Sequence, residues 1–279
     1  GFRAGVWNIG AEGQFIAGAL LGSAPAVYFF DSTNPLILPC MLLLGVLGGM
    51  AWAAMPALLK TRFNANEILV SLMLVYVAEL LLVHLVQGPW RNPQGWGFPG
   101  TRMFPDVALL PMFFPGYRVH LGTLIAVLIP FVAWFVLTRT RFGFQIRVFG
   151  SAPLAARHAG IGSSQMVWTT LLVGGGLAGL AGVMEAASTI GQLMPKISPG
   201  YGFTAIIVAF LGRLHPVGVL LAGTVIAVTY IGGESAQISA GLPKAVTGLF
   251  QGIILFYLLA FDLLTRYRLT RVKTRGNTA

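Results

Sequence analysis

Charge is what this sequence has least of. Only 9% of its residues are Asp, Glu, Lys or Arg, against 56% hydrophobic, whereas a water-facing domain carries about a quarter charged residues. An ordinary soluble surface is excluded, and the chain reads as an integral membrane protein. Cysteine is almost absent too. Cys40, alone and inside an apolar run, excludes a disulfide framework and a thiolate metal set, and reads as small core filler. The four histidines, His84, His120, His158 and His215, show no paired ligand spacing, so no metal site is expected. There is no Gly-rich phosphate loop closing on Gly-Lys-Ser/Thr, no nucleophile elbow and no Asp/Glu/His relay on one helix. The chain is therefore expected to be neither an enzyme nor a cofactor carrier, and any ATP chemistry belongs to another chain. The net charge of +10 does not point to nucleic acid, because Lys and Arg sit between or after apolar runs rather than on one aromatic-studded face.

What the sequence has in quantity is apolar length. Runs close to the roughly 20 residues that cross a bilayer lie at Ala11–Phe30, Leu36–Ala54, Ile68–Val86, Val119–Leu137, Met166–Ser188, Val217–Gly233 and Ala245–Leu264, with a shorter one at Tyr201–Leu211. They lack the ten-residue alternation of a membrane barrel, so helices must satisfy the backbone. The expectation is an all-α polytopic membrane protein, a bundle of about eight transmembrane or half-membrane helices. The start, GFRAGVWNIGAEGQ, has neither an initiator methionine nor the charged opening of a signal peptide, and further spans are expected upstream.

The connection from Arg139 to Gly162 sets the sidedness. Arg139, Arg141, Arg147 and Arg157 have no acidic residue among them, which puts this connection in the cytoplasm. On that register thirteen Lys and Arg fall inside and five outside, so the C-terminus and its basic tail (265–279) are cytoplasmic, residues 139–165 form a cytoplasmic loop, and 87–118 an external one. The Pro-, Gly- and Trp-rich external loop is expected to be a structured cap or an aromatic anchor at the interface. Within the cytoplasmic loop, Ser151 can cap, Pro153 can start and Gly160 can end a short helix over Pro153–Ala159, a lever held between two spans.

Small residues four apart, Gly18/Gly22, Gly45/Gly49, Gly175/Gly179 and Ala178/Gly182, suit close helix contact, with the dense GGGLAGLAG run as the persuasive instance. Function is expected where helices break at membrane depth. NIGAEGQ (Asn8–Gln14) and SPGYGFT (Ser198–Thr204) each put glycines at the start of an apolar run, and they echo each other at an offset of 190: Gly10 with Gly200, Gln14 with Thr204, Gly22 with Gly212. Such paired interruptions point to a transporter's central site and to a possible internal repeat. Asn8, Glu12, Gln14, Tyr201 and Thr204 are expected to line a path for a small polar solute, with Phe203 as a stacking surface; tying the broken ends together is the competing role. Glu79 has an interhelical hydrogen bond or a pore role open to it, whereas His84 and Glu185 read as interfacial.

The motifs NIGAEGQ, NEILVSLML at Asn66–Leu74, AARHAGI within Gly150–Ile161, GYGFTAIIVAFLGRLHPVG at Gly200–Gly218 and LPKAVTGLFQGIIL at Leu242–Leu255 run through nearly the whole chain. In this set the chain resembles the permease subunits of bacterial ATP-binding-cassette importers of the ribose, branched-chain amino acid and nucleoside group, most closely the simple-sugar and nucleoside branch. One departure is Val75, where the family commonly has Asn. The resemblance implies a bacterial inner-membrane permease, a cytoplasmic ATPase partner, a second permease subunit, an extracytoplasmic solute-binding protein, and lipid around the bundle. It also implies that Pro153, Ala155, Ala156, Arg157, Ala159 and Gly160 belong to the coupling element seated on the ATPase. The alternative is an ion-coupled transporter with Glu79 or Glu185 carrying the proton.

Overall fold

The computed structural model describes residues 1–113, 119–241, 243 and 245–266. Eight apolar helices make up its membrane part: α1 (Ala11–Tyr28), α2 (Ile37–Phe63), α3 (Glu67–Gln87), α4 (Leu121–Arg139), α7 (Ser163–Glu185), α8 (Tyr201–Leu211), α9 (Pro216–Ala240) and α10 (Ala245–Arg266). Two more, α5 (Arg141–Ser151) and α6 (Pro153–His158), lie in the connection between α4 and α7. Among the described residues, five helices are long and apolar enough to cross a membrane: α2, α3, α4, α9 and α7 with its continuation to Ser188. Arg118, Leu242, Lys244 and the basic tail after Arg266 fall outside the described residues.

The first compact unit, Gly1–Leu220, is built on α1, α2 and α7. The seam between them is glycine. A Cβ on Gly18 would overlap the Cα of Gly179; one on Gly49, the carbonyl of Gly175; and one on Gly182, the carbonyl of Phe15. All the four-residue glycine pairs thus meet in one place, including the two whose spacing alone carried little information. Backbones this close gain dispersion contacts that lipid cannot match, which is how helices associate where no hydrophobic drive exists. α1 is buried along most of its length, while α4 turns Leu124, Leu128, Val132 and Phe135 outward, as a lipid-facing helix does. Val75 is 1% exposed and lies against Gly13, so this departure from the family pattern fills a packing position. Cys40 corrects an expectation: it is exposed on α2 rather than core filler.

Turn chemistry joins the elements. Asn66 accepts from the Ile68 N–H at 2.9 Å to cap α3, and Asn64 ends α2 at φ 50°. Lys60 pairs with Glu67 across that corner at 2.9 Å. The described part of the connection between α3 and α4, expected to be external, is structured. Thr101, fully buried, exchanges hydrogen bonds with Leu193, and the Phe104 and Leu110 N–H groups donate to Gly191 and Ala187 at 2.8 Å. Arg102 stands 4.0 Å from the Phe30 ring, and Trp90 meets Tyr28 edge-on.

The connection between α4 and α7 holds more structure than one short helix. Thr140 caps α5 by accepting from the Gly143 N–H, and Gly143, Ile146 and Phe149 point inward while Arg141, Phe144 and Arg147 point outward. The cap of α6 is Ala152 rather than Ser151, whose hydroxyl instead donates to the Val148 carbonyl in the last turn of α5. Ala156 is the residue of α6 that turns inward. It is fully buried in a cluster with Ala57, Ile146, Ile161 and Leu171, so its methyl belongs to this chain's own core and not to a surface for a partner. Pro153, Leu154, Ala155 and Arg157 form the exposed face, and Ala159 and Gly160 follow it, Gly160 at φ 80°. In the second unit, which begins at Leu221, α9 and α10 enclose about 250 Å³ beside Gly232 and Phe250.

Candidate functional site

Both broken helix starts use the same hydrogen bond. Asn8 accepts from the Gly10 N–H at 3.1 Å and Ser198 from the Gly200 N–H at 3.0 Å; Gly10 and Gly200 then precede the first residues of α1 and α8. The offset of 190 therefore marks a shared hydrogen-bond pattern, while the backbone differs, with Gly10 at φ −86° and Gly200 in the left-handed region at φ 106°. The two starts also touch at equivalent positions: the Gly202 N–H donates to a Glu12 carboxylate oxygen at 2.5 Å. A Cβ on Gly202 would overlap the Glu12 backbone nitrogen, so only glycine allows this approach. A carboxylate against the free N–H groups of a helix start meets both the hydrogen-bond need and the positive end of the dipole. Phe15 and Tyr201 pack edge to face at 6.1 Å, and Phe210, at the far end of α8, lies against Phe2 and Trp7.

The sequence-derived polar set divides. Asn8 and Gln14 bond to each other through both amides, at 2.8 and 3.1 Å, and Gln14 is 1% exposed. Glu12 is also buried, and Thr204 donates to the Gly200 carbonyl. These groups find partners within the protein, while Tyr201 and Phe203 are more than a third exposed.

Beside Tyr201 a cavity of about 500 Å³ opens among α1, α4, α7 and α8. Phe15, Gly202, Ala178, Ala181 and Glu185 line it, together with two groups the sequence reading passed over, His120 and Ser188. His120 was invisible because it was weighed as a metal ligand; its position two residues before Gly122, at the head of an apolar run, was the available signal. Its Nδ1 accepts from the Gly122 N–H at 3.1 Å and caps α4, and burial holds its pKa below the ordinary histidine value. Directly after Glu185 the helix widens into a π-turn, Ala186–Ile190, closed by Gly191 at φ 66°. Such turns recur at functional sites, since they reposition side chains that a regular helix would bury. Glu79 lies elsewhere, exposed in the middle of α3, and His84 is exposed in its last turn.

Comparison with known proteins fits this architecture. Residues 2–259 match the family described as branched-chain amino acid transport system / permease component. The glucose ABC transporter permease protein TsgB13 of Haloferax volcanii is 38% identical, over 99% of this chain and 75% of its own length. The guanosine ABC transporter permease protein NupP of Bacillus subtilis is 30% identical, over 99% and 79%. The nucleoside ABC transporter permease protein NupB of Lactococcus lactis is 24% identical, over 92% and 72%. No solved structure matches. A many-helix membrane bundle with paired helix breaks around a cavity, matched over almost its whole length, belongs to the family of branched-chain amino acid type ABC transporter permease subunits, transport components rather than enzymes.

Proposed function

We propose that this permease subunit carries a nucleoside or simple sugar along the cavity among α1, α4, α7 and α8, and that the cavity is the observation that carries the reading. Tyr201 faces the path, Phe203 is exposed nearby on α8 without lining the cavity, and Asn8, Glu12, Gln14 and Thr204 hold the broken helix starts that frame it. A frame of satisfied polar groups keeps the opening rigid, and weak contacts inside suit a protein that must release its cargo. Residues 1–279 act as one permease domain in the cytoplasmic membrane of a bacterium, with 87–118 outside and the C-terminus inside. The charge bias of the loops supports that orientation.

Family membership implies a separate ATPase and a solute-binding protein. The face of Pro153, Leu154, Ala155 and Arg157 meets the ATPase, with α5 as its support, and Ala159 and Gly160 complete the turn. A second permease chain, not identical to this one, completes the path. Haloferax volcanii, Bacillus subtilis and Lactococcus lactis each have a second, differently named permease that also matches this chain. With ATP as the energy source, neither Glu79 nor Glu185 is needed as a proton carrier.

The test is uptake of labelled guanosine and glucose by vesicles holding both permeases, the ATPase and the binding protein. Uptake should require ATP and the binding protein and survive collapse of the proton gradient. Uptake that persists without ATP and stops with the gradient would sink the reading.

A further inference from the structure

Once Glu185 is relieved of carrying protons, its position calls for another explanation. It is the last residue of α7, it lines the cavity, and among the described residues its carboxyl group has no hydrogen-bond or ion-pair partner. Glu12, the other carboxyl at the helix breaks, accepts from the Gly202 N–H. A lone ionisable group inside a membrane protein costs several kcal/mol unless a cavity or a partner receives it, and this one faces space large enough for water or a solute. The π-turn that follows starts at the next residue, so the local widening of the helix falls where Glu185 meets the cavity.

His120 lines the same cavity with its Nδ1 already accepting the Gly122 N–H. In the neutral ring the proton therefore sits on Nε2, which makes the imidazole a donor there. The rest of the wall is mostly apolar and partly aromatic, with Phe15, Tyr201, Met184 and five alanines, and the hydroxyl side chains of Thr123 and Ser188 also line it. The two carboxylate oxygens, the imidazole donor, a few hydroxyls and aromatic surface in about 500 Å³ suit a small ring with a polar edge, since pockets of this size bury most of such a ligand and orient it with few polar groups. A carboxylate repels anionic solutes and leaves donor-poor ones with an unmet acceptor.

We propose that Glu185 and His120 form a recognition subsite for a neutral ring solute that offers two neighbouring O–H or N–H donors, Glu185 accepting both and His120 donating to a ring or exocyclic acceptor. The assignment rests on the permease reading above and deepens it. Two sources share this chemistry: the vicinal hydroxyls of a sugar and the N–H edge of a purine base.

The experiment uses the assembled importer in vesicles, with Ala181→Cys as a reporter in a Cys40→Ser background and the rate of its modification by a small aqueous thiol reagent as the readout. Guanosine or glucose should slow the modification. Protection by guanosine alone identifies the base edge, by glucose alone the diol, and by both the shared donor pair. Adding Glu185→Leu should raise the concentration needed for half protection about tenfold or more, the loss expected when a hydrogen bond to a charged group goes. Glu185→Gln, which keeps one acceptor and the shape, should fall between and covers the case in which the leucine variant does not assemble. Half protection at unchanged concentration in both variants overturns the assignment, as does a thiol that neither solute shields while wild-type uptake of either proceeds. Wild-type uptake of neither removes the nucleoside-or-sugar reading proposed above, and this subsite with it.

Discussion

Helix α7 presents two unlike surfaces a fraction of a turn apart. On one, Gly175, Gly179 and Gly182 bring its backbone against α1 and α2 with no side chain between. On the other, Ala178, Ala181 and Glu185 stand around open space. The sequence GGGLAGLAG feeds both, so small residues here do opposite work: on the first face they remove distance, and on the second they leave room. What lies across from each position decides which. A rigid backplate and a solute-sized space can therefore share one helix, and the immobility of the first holds the geometry of the second.

The sharpest break of that contrast is at Gly179. A Cβ there would overlap the carbonyl of Gly45 and crowd Gly49, and the α2 backbone cannot yield as a flexible side chain would. Gly179→Val should cost at least about 3 kcal/mol, the upper end for overpacking, and read out as loss of monodisperse protein in detergent. Ala178→Val, the neighbouring residue, should cost less than about 1 kcal/mol and instead reduce uptake. Equal thermal midpoints for the two variants would remove the distinction between the faces.

Next in size is α6, which repeats the contrast over two turns. Ala156→Asp places an unpaired charge in the chain's own core and should lower stability by roughly 2 kcal/mol or more. Leu154 is 74% exposed. Leu154→Asp should leave the thermal midpoint within about 2 °C, in line with a surface change of a few tenths of a kcal/mol, and abolish stimulation of the ATPase. A normally stimulated ATPase with Leu154→Asp would exclude this face from coupling.

Smaller again is the Glu12 contact. Glu12→Ala leaves the start of α8 without its acceptor and should cost about 1.5–3 kcal/mol, the range for hydrogen bonds to charged groups, with Glu12→Gln recovering part of it. Thermal unfolding measures this, and increased thiol labelling of a cysteine at Tyr201 would report the loosened helix start.

These cases also separate what was legible in the sequence from what was not. Apolar length declared the helices, and the offset of 190 found two starts whose hydrogen bonds match. Periodicity could not say that Ala156 faces inward, because six residues of α6 carry too little pattern and α5 beneath them was unseen among four arginines. Nor could composition tell a polar group that lines a path from one that ties a helix end. Asn8 and Gln14 are each other's partners, a pairing across six residues formed where Asn8 also accepts from the Gly10 N–H. Glu185 was placed by its distance from the end of a run, and only the π-turn and α4 set it beside a cavity.

The smallest effect is at the cap of α4, and it depends on pH. His120 holds the Gly122 N–H with Nδ1, which works only while that nitrogen is unprotonated. Burial keeps its pKa below the ordinary value, so between the folded and unfolded pKa values the unfolded chain binds the proton and the folded one does not. Stability then falls as pH drops below the unfolded value of about 6.5, and the cap is intact above it. His120→Ala should cost about 1 kcal/mol at pH 8, a usual N-cap loss. His120→Asn supplies another capping oxygen and nothing that titrates, so it should match the wild type at pH 8 and outlast it at pH 5.5. Thermal midpoints at the two pH values for the three proteins decide this, and a wild type that loses no more than His120→Asn on acidification shows that the imidazole is not what pins the start of α4.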